Sequence, residues 1–475
     1  MMSGMAGTAT VDVGELVDKQ KLGVLTLRLL LLSFLAMMAD GYDLLALGFA
    51  APDIVKEWGV ARGALGPVFS ASLFGILFGA PLFGYLGDRH GRKSAIVLGC
   101  AIFGVFTLAT VWAASLPELA ALRFLTGIGL GALMPNTVAL NAEFAPKRWR
   151  ATLVIIMFTG ITLGGALPGW IGAGLLPASG WRALFVIGGV APLIIAGALF
   201  LFLPESIKFM VSREHRREEV VKLARIMDPT LDIGVDTLFV SDAQAGVRQS
   251  SARGQIFAGG LAAITPLLWL LFATNLMANF FLSSWIPTLF QDAGMDAADS
   301  ARVLALYQLG GAAGGLLISV LVDRWGMVPV VALFILAGPL VVLIGVPGVA
   351  GPMLLGVVCL AGACILGLQF GINAISGIIY PTALRARGSG LAFAIGRFGS
   401  IVGPVLGGIL IAQRLPLQRL LYAPAASLVI GAAAAIVMLR LCVRRFGGYR
   451  LDDKAATSAA PSRKNVGQRE QRPVS

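Results

Sequence analysis

The sequence predicts an all-α membrane protein in which twelve transmembrane helices form two six-helix halves, and three observations predict it. The first is composition. Of the 475 residues, 57% are hydrophobic and only 13% are charged, against roughly 45–50% and 25% in soluble proteins. The second is hydropathy: at about 20 residues per spanning helix, apolar runs fall near 24–50, 66–87, 94–114, 118–142, 151–176, 182–203, 261–289, 300–322, 328–348, 352–380, 387–411 and 420–441. No run alternates with period two over strand lengths, so helices are expected rather than a membrane barrel. The third is an internal repeat. Pro52 and Pro287, Gly59 and Gly294, DRHG at Asp88 and DRWG at Asp323, and PKRWRA at Pro146 and PTALRA at Pro381 all stand 235 residues apart. One offset shared by helix ends and loops implies two halves of parallel topology that meet around a central cavity.

Residues 1–23 form a polar N-terminal tail with Asp12, Glu15 and Asp18, unlike a basic signal-peptide leader, so the first apolar run is expected to stay as a spanning helix. The first bundle covers 24–203 and the second 261–445. Between them lies a loop, 204–260, in which SREHRREEVVKLARIM has the spacing of an amphipathic helix, on the membrane surface or under the bundle. The last segment, 446–475, has too few large apolar residues to fold and is expected to be a disordered tail. Basic residues orient the chain: 29 of the 37 Lys and Arg fall on the side shared by both termini and the even-numbered loops, 6 on the other, and Arg123 and Arg397 inside spans. Both ends are therefore expected in the cytoplasm. The net charge of +12 is mostly this topology signal, and without a compact basic domain no nucleic-acid partner is expected. Cys100, Cys359, Cys364 and Cys442 lie in or beside spans with no metal-ligand spacing, which suits small packing residues.

The chemistry left to such a chain is limited. It has no G-x-x-x-x-G-K-[ST] phosphate loop, and its two histidines, His90 and His215, fall in loops, so neither a nucleotide engine nor an intramembrane histidine relay is present. GIGLGA at Gly127 sits inside an apolar helix and suits close helix packing rather than dinucleotide binding. No cofactor or metal is expected, and no enzymatic activity.

Asp40 and Asp43, three apart, share one face of the first helix near its midpoint. A charge at the bilayer centre costs at least about 2.5 kcal/mol, which makes each carboxyl a candidate for taking up and releasing a proton. Gly41 between them permits close backbone approach or local unwinding. A single bridge to an arginine explains one aspartate, and there are two. Arg123 lies roughly 7 Å inside helix 4, and Arg397 roughly 15 Å inside helix 11, at the midplane. A guanidinium there can hold a carboxylate through two parallel bonds, so Arg397 is the first choice to anchor an anionic substrate; pairing with Asp40 or Asp43 is its other reading. Asn136, Asn141, Asn275, Asn279, Gln308, Gln369 and Asn373 are further polar residues within spans, each alone better read as interhelical glue. Glu143, at the end of helix 4 next to PKRWRA, is expected to pair with cytoplasmic arginines.

GYLGDRHGRKSA, from Gly84, is the most specific motif: Gly87 and Gly91 allow a tight turn, and Asp88, Arg89, Arg92 and Lys93 supply charge. With its counterpart at Asp323 and Arg324, it suggests a cytoplasmic latch between the halves.

GDRHGRK resembles the G-x-x-x-D-R/K-x-G-R-R/K signature of the major facilitator superfamily, and the repeat, the topology and LPES after helix 6 fit that family across about residues 20–445. Within it, DGYD in helix 1, RFLTGIGLGALMPN in helix 4 and GRFGSIVGP in helix 11 are similar to the aromatic acid:proton symporters, which include 4-hydroxybenzoate and benzoate carriers. The resemblance implies a monomeric carrier in a bacterial inner membrane that takes up an aromatic carboxylate with protons. It places the proton-coupling aspartates on Asp40 and Asp43 and the family's charged helix 4 and 11 positions on Arg123 and Arg397. Tyr42 stands where many members carry Phe and adds a hydroxyl at the site, so Tyr42 and Arg123 join Arg397 as the residues expected to bind substrate. A drug exporter of the same fold and a membrane sensor of aromatic acids are the rivals. Arg397 argues against the first, and the lack of an appended signalling domain against the second.

Overall fold

A backbone surrounded by lipid must satisfy its own hydrogen bonds, and this chain does so with helices. The computed structural model describes residues 10–20, 22–211, 213, 216–229, 231, 237–240, 255–257, 261–380 and 382–446. Its apolar helices are α1 (Val24–Trp58), α2 (Gly66–His90), α3 (Arg92–Ala109), α4 (Leu116–Phe144), α5 (Arg150–Ser179) and α6 (Arg182–Phe202), then α7 (Ile264–Asp292), α8 (Ala297–Trp325), α9 (Val328–Ile344), α10 (Gly351–Ile379), α11 (Thr382–Ala412) and α12 (Leu417–Phe446). Among the described residues eleven are long and apolar enough to cross a membrane; α9, with 17 residues, is the shorter twelfth. His215, Pro381 and the tail from residue 447 lie outside the described residues.

The repeat is visible in the backbone. Gly59 ends α1 at φ 62° and Gly294 follows α7 at φ 92°; Gly91 ends α2 at φ 101° and Gly326 ends α8 at φ 59°. Each pair is 235 residues apart, and each sits where only a residue without Cβ turns the chain cheaply. Pro52 and Pro287 occupy matching places inside α1 and α7.

The bundles pack α2 on α11, α5 on α8 and α1 on α7. Many of the contacts between them lie toward the rim where α1 hands over to α2. There a methyl on Gly63 would stand 2.4 Å from the Gly408 carbonyl oxygen, and the Ser70 hydroxyl donates to the Ile401 carbonyl at 2.7 Å. Arg62 pairs with Asp292, and Phe69 meets Trp285 edge to face at 5.1 Å. Backbone against backbone closes this rim.

At the opposite rim the first bundle has an added layer. Asp12 caps a short helix, Val13–Lys19, by accepting from the Gly14 N–H, and Val13, Leu16 and Val17 are buried in the apolar cluster under the bundle. Asp18 accepts from the Lys147 N–H at 3.0 Å and pairs with its Nζ at 2.6 Å, and these bonds hold its carboxyl below the usual carboxylate range. The Gln20 side chain donates to the Phe144 carbonyl at 2.6 Å. The helix Arg217–Met227 buries Val220, Ala224 and Met227 in the same cluster, and Thr10–Asp12 pairs in parallel with Leu238–Val240. The amphipathic segment therefore packs beneath the first bundle.

Candidate functional site

The two aspartates of α1 are treated differently by their surroundings. Asp43 meets Arg123 of α4, their side chains 0% and 1% exposed, with Nη1 3.1 Å from both carboxylate oxygens. The Thr107 hydroxyl donates to Asp43 Oδ1 at 2.6 Å, and Arg123 Nη2 lies 3.1–3.2 Å from the hydroxyls of Thr107, Thr110 and Thr126. Phe185 of α6 covers the guanidinium at 5.1 Å. Two charges removed from water need this much compensation, because desolvation otherwise exceeds their attraction. The arrangement lies wholly within the first bundle.

Asp40, one turn earlier, is 6% exposed, and its Oδ1 is buried without a hydrogen-bond partner. The charges acting on it are Arg397 from the second bundle and, with opposite sign, Asp43. Arg397 is partly buried, stacked over Phe393 at 4.8 Å, with Nη2 3.7 Å from Met134 Sδ of α4. Among the described residues it forms no ion pair. An unpaired carboxylate and an unpaired guanidinium thus belong to opposite bundles, each acting on the other's charge.

Helix α1 runs unbroken through this region, so Gly41 serves close approach rather than unwinding: a methyl on it would stand 1.9 Å from the Ile161 carbonyl oxygen of α5. Tyr42 is turned away from the second bundle, and its hydroxyl donates to the Leu184 carbonyl of α6 at 3.0 Å. GIGLGA is a packing surface, since methyls on Gly127 and Gly131 would fall 2.0 Å and 2.5 Å from backbone atoms of α2.

Where α2 meets α3, a methyl on Gly87 would strike Asn136 Oδ1, the atom that also accepts from Arg92 at 3.1 Å, while Arg92 pairs with Asp88. Gly91 lies against the Glu205 carboxylate, which accepts from the Lys93 N–H at 3.1 Å and the Ser206 N–H at 2.8 Å. Arg89 donates to the Tyr85 hydroxyl at 2.9 Å. These contacts all remain within the first bundle and its following loop. Glu143 accepts from the Ser206 hydroxyl and, among the described residues, forms no ion pair with the basic loop residues expected to hold it. Arg324 is exposed, and the Asp323 side chain is outside the described residues.

Sequence reasoning missed Thr107, Thr110 and Thr126. Their only signal is spacing: Thr107 and Thr110 are one turn apart, and Thr126 is one turn after Arg123, so each set shares a helix face.

Two repeated helical bundles, with a buried unpaired acid on one and an unpaired base on the other, define a membrane transporter rather than an enzyme. The chain belongs to the Major Facilitator Superfamily, whose family model matches residues 29–404 and again 268–468. It is 37% identical over 432 residues to the 4-hydroxybenzoate transporter PcaK of Pseudomonas aeruginosa, covering 91% of this chain and 95% of that one. The gallate transporter of Pseudomonas putida is 34% identical over 413 residues, covering 87% and 91%. Among solved structures, a D-xylose–proton symporter superposes with a TM-score of 0.67 at 16% identity, covering 88% of this chain and 98% of that one. A bacterial homologue of the human lysosomal transporter Spinster, inward-facing and occupied, gives 0.65 at 18% identity, covering 88% and 97%. These last two share the fold.

Proposed function

We propose that this protein imports an aromatic carboxylate of the 4-hydroxybenzoate or benzoate type together with protons, by alternating access, as a monomer in a bacterial inner membrane with both termini in the cytoplasm. The observation that carries the reading is the division among four charged groups. Arg123 neutralises Asp43 inside one bundle, and Asp40 and Arg397 are left unpaired on opposite bundles. The names of the 4-hydroxybenzoate and gallate relatives support the substrate class.

In this reading Arg397 takes the substrate carboxylate with its planar fork. The bound anion offsets the positive charge that favours Asp40 as carboxylate, so Asp40 takes up a proton as substrate binds. The loaded site is then close to neutral and the bundles rock. With only the anion or only the proton bound the site keeps a net charge and they rock poorly, whereas the empty site, in which Asp40 and Arg397 offset each other, returns; this is what couples the two fluxes. Arg123 and the three threonines hold Asp43 in place, and the GDRHGRK loop with Asp323 and Arg324 acts as the latch at the cytoplasmic rim.

Uptake into liposomes of purified protein, with a panel of aromatic acids, tests this. A monoanion entering with one proton moves no net charge and follows the pH gradient alone, at about 1.4 kcal/mol per unit. Entry with two protons adds roughly 2.3 kcal/mol per 100 mV of inside-negative potential. Binding without uptake would make the protein a sensor, and uptake indifferent to both gradients would remove proton symport.

A further inference from the structure

The second bundle carries a polar stripe on one face of α7: Asn275, Asn279 and Ser283, four residues apart. Asn279 is engaged, its Oδ1 accepting from the Tyr307 hydroxyl of α8 at 3.0 Å. Asn275 is not. It is 0% exposed and donates through Nδ2 to Gln369 Oε1 of α10 at 3.2 Å, yet its own Oδ1 and Gln369 Nε2 are buried with no partner. Buried polar atoms are nearly always paired, and two unpaired ones in a single contact call for a ligand.

The chemistry of that ligand follows from the atoms. One is an acceptor and the other a donor. Turning both amides over exchanges the roles and again leaves one of each. A carboxylate only accepts and an ammonium only donates, whereas a hydroxyl does both. The level in the bundle also fits. Methyls on Gly396 and Gly399, flanking Arg397, would fall 2.4 Å and 2.0 Å from atoms of Phe272 and Ala273 on α7, within one turn of Asn275. Asn275 therefore stands at the level of Arg397 in the second bundle.

We propose that the Asn275–Gln369 pair recognises the ring hydroxyl of a hydroxylated aromatic carboxylate. This rests on the transport reading above and names its selectivity. A site with an unmet donor and acceptor favours the hydroxylated ring, because the analogue without a hydroxyl leaves both atoms unpaired.

The test compares uptake of labelled 4-hydroxybenzoate and benzoate by liposomes carrying the wild type, Asn275→Leu and Gln369→Met. The wild type should favour the hydroxylated acid in kcat/KM by about tenfold or more. Both variants should erase most of that preference, mainly through loss on 4-hydroxybenzoate with benzoate uptake retained. Equal losses on the two acids, or an unchanged preference, would overturn the proposal. If Asn275→Leu fails to reach the membrane, Gln369→Met, at a partly exposed position, decides alone. A wild type that carries both acids equally sinks the amide pair only; one that carries neither sinks the transport reading with it.

Discussion

Asp40 and Asp43 should respond to the same substitution in different ways. Asp43→Asn removes the carboxylate that holds Arg123 and leaves a guanidinium, 1% exposed, with only neutral oxygens around it. Breaking a buried pair by deleting one partner costs about 3–5 kcal/mol, which multiplies the unfolded population by roughly a hundred to several thousand. Asp40→Asn deletes a carboxylate whose Oδ1 had no hydrogen bond to lose, so its effect on stability should stay within about 1 kcal/mol. Heating the purified variants in detergent and measuring the fraction still monodisperse separates the two. Asp43→Asn should fall well below wild type, and Asp43→Asn with Arg123→Gln should recover much of the loss, because the orphaned charge is gone. Asp40→Asn should be as heat-resistant as wild type, exchange labelled substrate across the membrane, and fail to concentrate it. A heat-stable Asp43→Asn beside an unstable Asp40→Asn would refute the assignment.

Three further outcomes are expected. Arg397→Lys keeps the charge but loses the planar fork, so binding of an aromatic carboxylate should weaken about tenfold while its neutral amide is little affected, as competition assays would report; equal losses would give Arg397 a structural role. Gly63→Val puts methyl groups where the Gly408 carbonyl oxygen lies 2.4 Å from the first added carbon, so cysteine probes beyond the α1–α2 rim should become more reactive and uptake should slow; unchanged labelling would mean that the rim is not a tight seal. Asp88→Asn breaks the pair with Arg92 at the far rim and should slow interconversion of the two states while leaving substrate affinity within about twofold; an affinity collapse would contradict a latch.

Most of the architecture was legible in the sequence because lipid imposes a length and a composition on every span, and the duplicated glycines at 59/294 and 91/326 mark equivalent turns. Helix ends were less legible. Helix α1 continues to Trp58, eight residues past its apolar run, because Pro52 is tolerated inside it and Gly59 is what stops it. The site was half legible. Ionisable residues inside an apolar chain stand out, so Asp40, Asp43, Arg123 and Arg397 were found. Spacing alone puts both aspartates on one face, whereas their fates depend on neighbours across other helices, and threonine hydroxyls carry no charge to betray them. Tyr42 shows the same limit: next to Asp43 and two residues from Asp40 in sequence, it points to α6.

The seam between α1 and α5 has a consequence for how the transport cycle is measured. Methyls on Gly41, Gly160 and Gly164 would stand 1.9, 2.7 and 1.9 Å from backbone oxygens of the opposite helix, so main chain rests on main chain with no side chain between them to change rotamer. Such a joint resists sliding, so under the proposed alternating access Asp40 keeps its near neighbours within the first bundle. The acid becomes a fixed origin, and the working stroke reduces to one coordinate, the separation between Asp40 and the arginine on the other body. A distance probe pair placed across that gap would follow the whole cycle, while a pair within the first bundle would record almost nothing.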